Sequence, residues 1–313
     1  MKKTAFTLAL AAALPVPTLA QSDVFTFYGK ANASFQSNDE GDGANTDIKS
    51  NASRLGVKGE LPLDSGIKGI YKMEYEVDID GEAEETFSQR NIYAGLEGGF
   101  GQVIGGKFDT PLKEAQNRVD LFNDLEGDIK SLITRSDNRE SNNLQYTTPS
   151  FAGFRASAAY ISNKDAEIFD SEGNLIDTRD NGTSVSLAYD NNGVYLAYAF
   201  DQDVEANDWN VNRLVAQYSF GNLQLGALYE EQEKADHSKQ DGWMTSVAYK
   251  INNWTAKAQY GQSDIIKDDG ETFSLGLDYK LSSAAKVFTF YTDETAADGY
   301  ERNYFGIGTE FKF

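Results

Sequence analysis

The sequence predicts an all-β, transmembrane, antiparallel up-and-down β-barrel of about 16 strands. Three observations lead there. The first is the closing stretch 304–313, in which Phe305, Ile307, Thr309, Phe311 and Phe313 alternate with Tyr304, Gly306, Gly308, Glu310 and Lys312. Successive side chains of a strand point to opposite faces, so one face here is apolar and aromatic and the other polar or small. The second is a regular alternation of short turns and long polar connections, which a β-sandwich would not show. The third is an N-terminal export leader on a chain with no other run apolar enough for a spanning helix.

The elements follow in order. Lys2 and Lys3 precede the apolar run 5–14, and Thr18-Leu19-Ala20 supplies small residues for cleavage. Residues 1–20 therefore read as a signal peptide for the Sec pathway, cleaved after Ala20, and residues 21–313 as the barrel. Next, Phe25, Phe27, Gly29, Ala31, Ala33 and Phe35 oppose Thr26, Tyr28, Lys30, Asn32 and Ser34. Leu55, Val57, Gly59 and Leu61 oppose Arg54, Gly56, Lys58 and Glu60, and Tyr71, Met73, Tyr75 and Val77 oppose Lys72, Glu74, Glu76 and Asp78. Stretch 87–146 alternates less cleanly, with 89–96 ambiguous in phase, as a subunit interface would make it. The pattern returns in 213–220, where Leu214, Ala216, Tyr218 and Phe220 oppose Arg213, Gln217 and Ser219, and repeats through 223–230, 243–250, 254–260 and 273–280. Aromatic residues at the strand ends form interface girdles. Gly and Asn mark the short turns 63–66, 98–101, 190–193, 220–222 and 251–253. Long connections cover 36–51, 109–141, 162–181, 201–210, 231–241, 261–270 and 292–302.

Composition removes several functions. The 313 residues include no cysteine and one histidine, and the net charge is -21, more negative still without Lys2 and Lys3. Disulfide staples are absent, and zinc chemistry or a Ser/Cys-His nucleophile has almost nothing to work with. His237 lies in a polar run and reads as a solvated loop residue. The acidic balance disfavours nucleic acid as a partner, because phosphate binding relies on clustered Lys and Arg. A mean hydropathy of -0.52 suits a barrel with a wet interior.

Two charged constellations matter for a channel. Lys30, Arg54, Lys72, Arg90 and Lys107 fall on the polar faces of consecutive strands and would stack into a basic column on one wall. The connection 109–141 carries Asp109, Glu114, Asp120, Asp124, Glu126 and Asp128. So long a connection within a regular barrel is usually functional. Folded into the lumen, it would set carboxylates against the basic column and create a transverse field over a narrow wet passage. Other motifs are weak. The glycines of 98–106 lack the context of a phosphate loop and read as a hairpin. Asp39, Glu40, Asp42 and Asp47 offer calcium ligands without EF-hand spacing, so loop-bound Ca²⁺ is a minor expectation and no other metal or cofactor is expected.

The residues together resemble the trimeric general porins of Gram-negative outer membranes. The resemblance rests on Phe27-Tyr28-Gly29-Lys30, Ser53-Arg54-Leu55-Gly56-Val57-Lys58-Gly59-Glu60, Arg90 with Tyr93-Ala94-Gly95-Leu96, and Phe100-Gly101 with Ile104-Gly105-Gly106-Lys107. Arg139 with Ser141-Asn142-Asn143, Tyr146, Ser150-Phe151, Gly153-Phe154 and the terminal Phe313 complete it. It implies 16 strands, a homotrimer, passive diffusion of ions and small hydrophilic solutes, and an inward-folded constriction loop at about 109–138. Lys30, Arg54 and Arg90 match lumenal basic residues of the family, and Lys107 matches more loosely. The loop lacks the Pro-Glu-Phe-Gly-Gly stretch of the best-known members, which leaves open which acids face the pore. Phe313 resembles the signal read by the barrel-assembly machinery. Lipopolysaccharide and outer-membrane lipids are the expected surroundings. The reading is a non-enzymatic diffusion porin with a mild cation preference. The alternatives are a porin specific for a sugar or organic anion, and a surface β-protein binding through Ca²⁺-loaded loops.

Overall fold

The structure, a computed structural model, describes residues 24–41, 43–162, 166–169 and 175–313. The leader 1–20, Asp42 and part of the connection 162–181 lie outside the described residues. The strands are β1 (Thr26–Asp39), β2 (Asn45–Ser50), β3 (Arg54–Pro62), β4 (Lys68–Val77), β5 (Phe87–Gly98), β6 (Gly101–Asp109), β7 (Arg139–Thr147) and β8 (Phe154–Ile161). After a small hairpin of β9 (Ala166–Phe169) and β10 (Leu175–Arg179) come β11 (Gly182–Asn191), β12 (Val194–Gln202), β13 (Asn210–Phe220) and β14 (Leu223–Glu233). β15 (Lys239–Ile251), β16 (Trp254–Ser263), β17 (Gly270–Lys280), β18 (Ala285–Thr295) and β19 (Glu301–Lys312) complete the wall.

Each wall strand pairs antiparallel with its neighbours, and β8 pairs directly with β11. β2 and β3 are two pieces of one strand. Both pair with β1, and they are separated only by a kink at Asn51–Ser53, where Ala52 has a φ of 46°. Counted so, the 17-stranded sheet is a barrel of sixteen strands. β1 closes it against β19 from Lys30↔Lys312 to Asp39↔Asn303, and Gly29 and Phe313 exchange backbone hydrogen bonds of 2.9 and 3.1 Å. The sheet closes on itself, so the wall has no free first or last strand to expose to lipid.

The outer face is the one the alternation predicts. Leu187, Leu196, Leu214, Leu225, Leu275 and Ile307 are exposed outward, while Ser34, Gln36, Gln145, Arg213, Glu230 and Gln259 are buried inward. Trp254 and Tyr279 meet at 4.5 Å with rings tilted by 52° at the turn end, and Trp243 and Tyr260 meet at 5.6 Å toward the loop end. Leu196 lies between these levels; its neighbours on β12 pair with Leu214 and Tyr218. Leu196→Arg should therefore destabilise the barrel in a bilayer by about 2–4 kcal/mol, read from denaturant unfolding in vesicles.

The turns are where Gly and Asn placed them. Asn192 and Gly193 both take positive φ, which sets the tight β11–β12 hairpin. The long connections are shorter than predicted, because strands run past the apolar belt: 231–241 shrinks to five residues between Glu233 and Lys239, and 292–302 to five between Thr295 and Glu301. The ambiguous phase of 89–96 has a cause. A bulge puts Glu74 opposite both Arg90 and Asn91, so these neighbours share the inner face and the alternation changes phase there.

Candidate functional site: the barrel constriction

Residues 110–138 leave the wall after β6 and return at β7, crossing the lumen between them. Thr110 caps α1 (Pro111–Ala115) by accepting from the Lys113 N–H at 3.2 Å, and Asp128 caps α2 (Ile129–Leu132) by accepting from Lys130 at 3.0 Å. The loop has an apolar underside. Leu112, Ala115, Val119, Ile129 and Ile133 bury against Ala199, Val211, Val215, Leu228 and Met244 on the inner face of β12–β15. Phe122 buries against Phe288, Phe290 and Tyr304. Gly242 makes the close approach feasible, since a Cβ there would sit 2.8 Å from the Ile133 carbonyl.

A buried polar anchor joins the two ends of the loop to the wall. Arg213 Nη2 lies 2.5 Å from Glu230 Oε2, and neither side chain is exposed. Arg213 also donates to the Leu112 carbonyl at 3.1 Å and to Thr134 Oγ1 at 3.0 Å, and Thr134 donates to Glu230 at 2.5 Å. Sequence reasoning placed Arg213 on the inner face but missed its role. A visible signal was Val211, Val215, Leu228 and Met244, apolar residues on the phase that should face water.

The six predicted acids divide. Asp124, at a φ of 68° on the loop tip, meets the basic wall: Lys30 Nζ is 2.6 Å and Arg54 Nη2 2.5 Å from its Oδ2. Burial pushes its carboxyl up, but Arg54 and Lys30 outweigh that and hold it below the usual carboxylate range. Asp109 pairs with Arg139 at 2.9 Å and Lys113 at 3.5 Å. Glu114 borders the passage and meets only Gln145, at 3.5 Å; its crowded setting and Asp109 push its carboxyl up. Glu126 accepts from Gln36 at 2.7 Å. Asp120 and Asp128 fold the loop. Asp120 accepts from the Phe122 and Ile129 N–H groups and from Gln259, and burial and nearby Asp128 push its carboxyl up.

The basic column is not a row of free charges. Arg90 pairs with Glu74 and Glu76, and Lys72 lies 3.3 Å from Glu74. Lys107 is not part of it. Its register partner is Ile92, in phase with the outward Ala94 and Leu96, so Lys107 projects from the outer face. The alternation misplaced it because the bulge at Arg90 had already changed the phase. A cavity of about 290 Å³ at the constriction is bordered by five cations and six carboxylates.

Asp39, Glu40 and Asp47 go to separate partners: Gly41, Arg302 with Tyr304, and Lys49. Among the described residues no three acidic or histidine side chains meet as a metal site. His237 is an exposed loop residue 3.0 Å from Glu233, and 98–101 is the β5–β6 hairpin turn. Among the described residues no helix is long and apolar enough to cross a membrane, which says nothing against a barrel.

Comparison with known proteins agrees with this architecture. Residues 7–299 match the Gram-negative porin family. The chain is 28% identical to major outer membrane protein P.IB of Neisseria sicca, covering 86% of this chain and 85% of that protein. It is 25% identical to the P.IB protein of Neisseria meningitidis serogroup B over 96% and 93%. The anion-selective porin from Comamonas acidovorans has the same fold, with a TM-score of 0.79 at 21% identity, covering 92% of this chain and 99% of that one. The chain belongs to the Gram-negative porin family, and its barrel is a diffusion channel of the outer membrane.

Proposed function

We propose that this porin is a general diffusion channel with a mild preference for cations, made as a precursor cleaved after Ala20 and working as a homotrimer among lipopolysaccharide and outer-membrane lipids. One observation carries the preference. Arg54, Arg90, Lys113 and Arg139 at the constriction are each paired with a carboxylate, while Glu114 faces the passage with no cation partner among the described residues. The passing ion meets a nearly neutral ring inside a protein of strongly negative charge. Because burial and Asp109 push the Glu114 carboxyl up to about 7, its spare charge and the preference should grow as pH rises through that value. The trimer is supported by the resemblance above and by Lys107. A lysine on the lipid face costs about 2–4 kcal/mol near the bilayer midplane, a cost a neighbouring subunit would remove. Phe313, paired to Gly29 at the closing seam, is the proposed signal for the assembly machinery.

The test is current through the purified protein in a planar bilayer. Ohmic steps arriving in threes are expected, with a cation-selective reversal potential in a KCl gradient; an anion-selective sign would sink the preference. Changing Arg54 and Arg90 to Gln should raise the cation-to-anion permeability ratio at least about twofold, because each removes a positive charge and Arg54→Gln half-frees Asp124. An unmoved reversal potential would mean these side chains do not govern the passage.

A further inference from the structure

Beside the constriction, a chamber of about 440 Å³ lies between α1 and the short-turn ends of β8, β11 and β12. It holds charges that the pairing pattern of the constriction leaves over. Arg155 of β8, Asp190 of β11 and Glu114 of α1 all line it. Among the described residues, Arg155 has no carboxylate within ion-pair distance and Asp190 no cation, although both signs face the same space.

The register explains why they stay apart. Arg155 is opposite Ala188, and Asp190 is two residues further along the same face of β11. Diagonal neighbours of this kind are about 7–8 Å apart. Ala188 between them carries no bulk to fill the gap. Ser157 and Ser186, a register pair, add hydroxyls to the floor. Asp190 is also held at its root, its N–H donating to the Gly153 carbonyl at 2.9 Å. Above, the Tyr195 hydroxyl donates to the Ala115 carbonyl at 3.0 Å and fixes α1 as a roof, from which Glu114 hangs. A cation and two carboxylates are thus held apart across a small polar space. A simple anion satisfies only the guanidinium, and a simple cation only the acids. A solute carrying both signs on adjacent atoms satisfies both.

We propose that this chamber is a binding subsite for small zwitterionic solutes of the free α-amino acid class, with the carboxylate on Arg155 and the ammonium between Asp190 and Glu114. Arg suits the first contact because its planar fork takes both oxygens of a carboxylate. The proposal rests on the channel reading and concerns a chamber separate from the Asp124 contacts that set the constriction.

The test adds L-serine, acetate or methylammonium, at equal concentration, to the open channel in KCl. Serine should reduce the current saturably, with a half-saturating concentration at least about tenfold below that of either half-solute, since each lacks one charge-assisted contact. Arg155→Gln should raise that concentration about tenfold, Arg155→Lys should retain most of the effect, and Asp190→Asn should shift the preference toward acetate. Equal effects of the three solutes, or an Arg155→Gln channel with normal conductance and unchanged saturation by serine, would overturn the subsite. If the folded protein carried no current at all, the channel reading itself would fall. Calorimetric titration of the detergent-solubilised protein with the same three solutes would then still decide the subsite, serine-selective heat supporting it and no difference between solutes ending it.

Discussion

Replacing Arg213 with Met should cost the folded barrel about 3–5 kcal/mol and widen the pore in the same step. Both effects come from one fully buried cluster. With Arg213 gone, Glu230 keeps a single partner, the Thr134 hydroxyl, and a carboxylate without exposure loses the charge 2.5 Å away that made its burial tolerable. The loop loses its tie at Leu112 near the outgoing end and at Thr134 near the returning end. Denaturant unfolding of the detergent-solubilised protein reads the first effect, and single-channel conductance the second. The double variant Arg213→Met with Glu230→Met separates them. It removes the stranded charge, so most of the stability should return, because a buried pair replaced by apolar groups is often neutral. The loop ties stay lost, so the conductance should stay high. A double variant that recovered both would show that the anchor acts only through charge burial and that the apolar underside alone seats the loop.

How far the barrel was legible depended on which force wrote each element. Leu214, Ala216, Tyr218 and Phe220 against Arg213, Gln217 and Ser219 read correctly because lipid outside and polar surroundings inside impose a period of two on a regular ladder. That rule breaks where the ladder breaks. The bulge opposite Glu74 puts Arg90 and Asn91 on one face and sends Lys107 outward, and nothing in 87–96 marks which residue is the extra one. The rule also fails where protein, not water, covers the inner face: Val215, Leu228 and Met244 are apolar there because the loop lies on them. Within the loop, composition showed six acids but not their duties. Asp120 and Asp128 spend their oxygens on backbone N–H groups of the loop, whereas Asp124 reaches Lys30 and Arg54 on the opposite wall. That division follows from where the chain turns, and the turn is set by tertiary packing. The loop ends of the strands were underestimated for a related reason: beyond the lipid belt both faces are wet, so the apolar alternation fades while the hydrogen-bonded ladder continues.

Phe122→Ala should be the other large change, because it removes the seat of the loop tip. The ring is fully buried, packed on Phe288, Phe290 and Tyr304, and Lys257 Nζ lies 4.6 Å from its centroid while also donating to the Leu121 carbonyl at 2.9 Å. Gly276 leaves the space the ring enters; a Cβ there would come within 3.0 Å of it. Truncating so enclosed an aromatic costs about 3–5 kcal/mol. The loss falls on the segment that carries Asp124, so the tip should leave the wall and free Lys30 and Arg54. The outcome is then opposite in sign to that of neutralising Arg54 and Arg90: conductance rises while the reversal potential moves toward anions. Phe122→Leu, which keeps most of the apolar volume, should show little of either. The two ion pairs of Asp124 are largely buried, their side chains 9–22% exposed, so the desolvation of the charges offsets much of their attraction. They therefore cannot hold the tip alone against the loss of the ring. If the alanine channel lost stability but kept its conductance and selectivity, that ranking would be wrong, and the charged contact rather than the aromatic seat would be what sets the width of the pore.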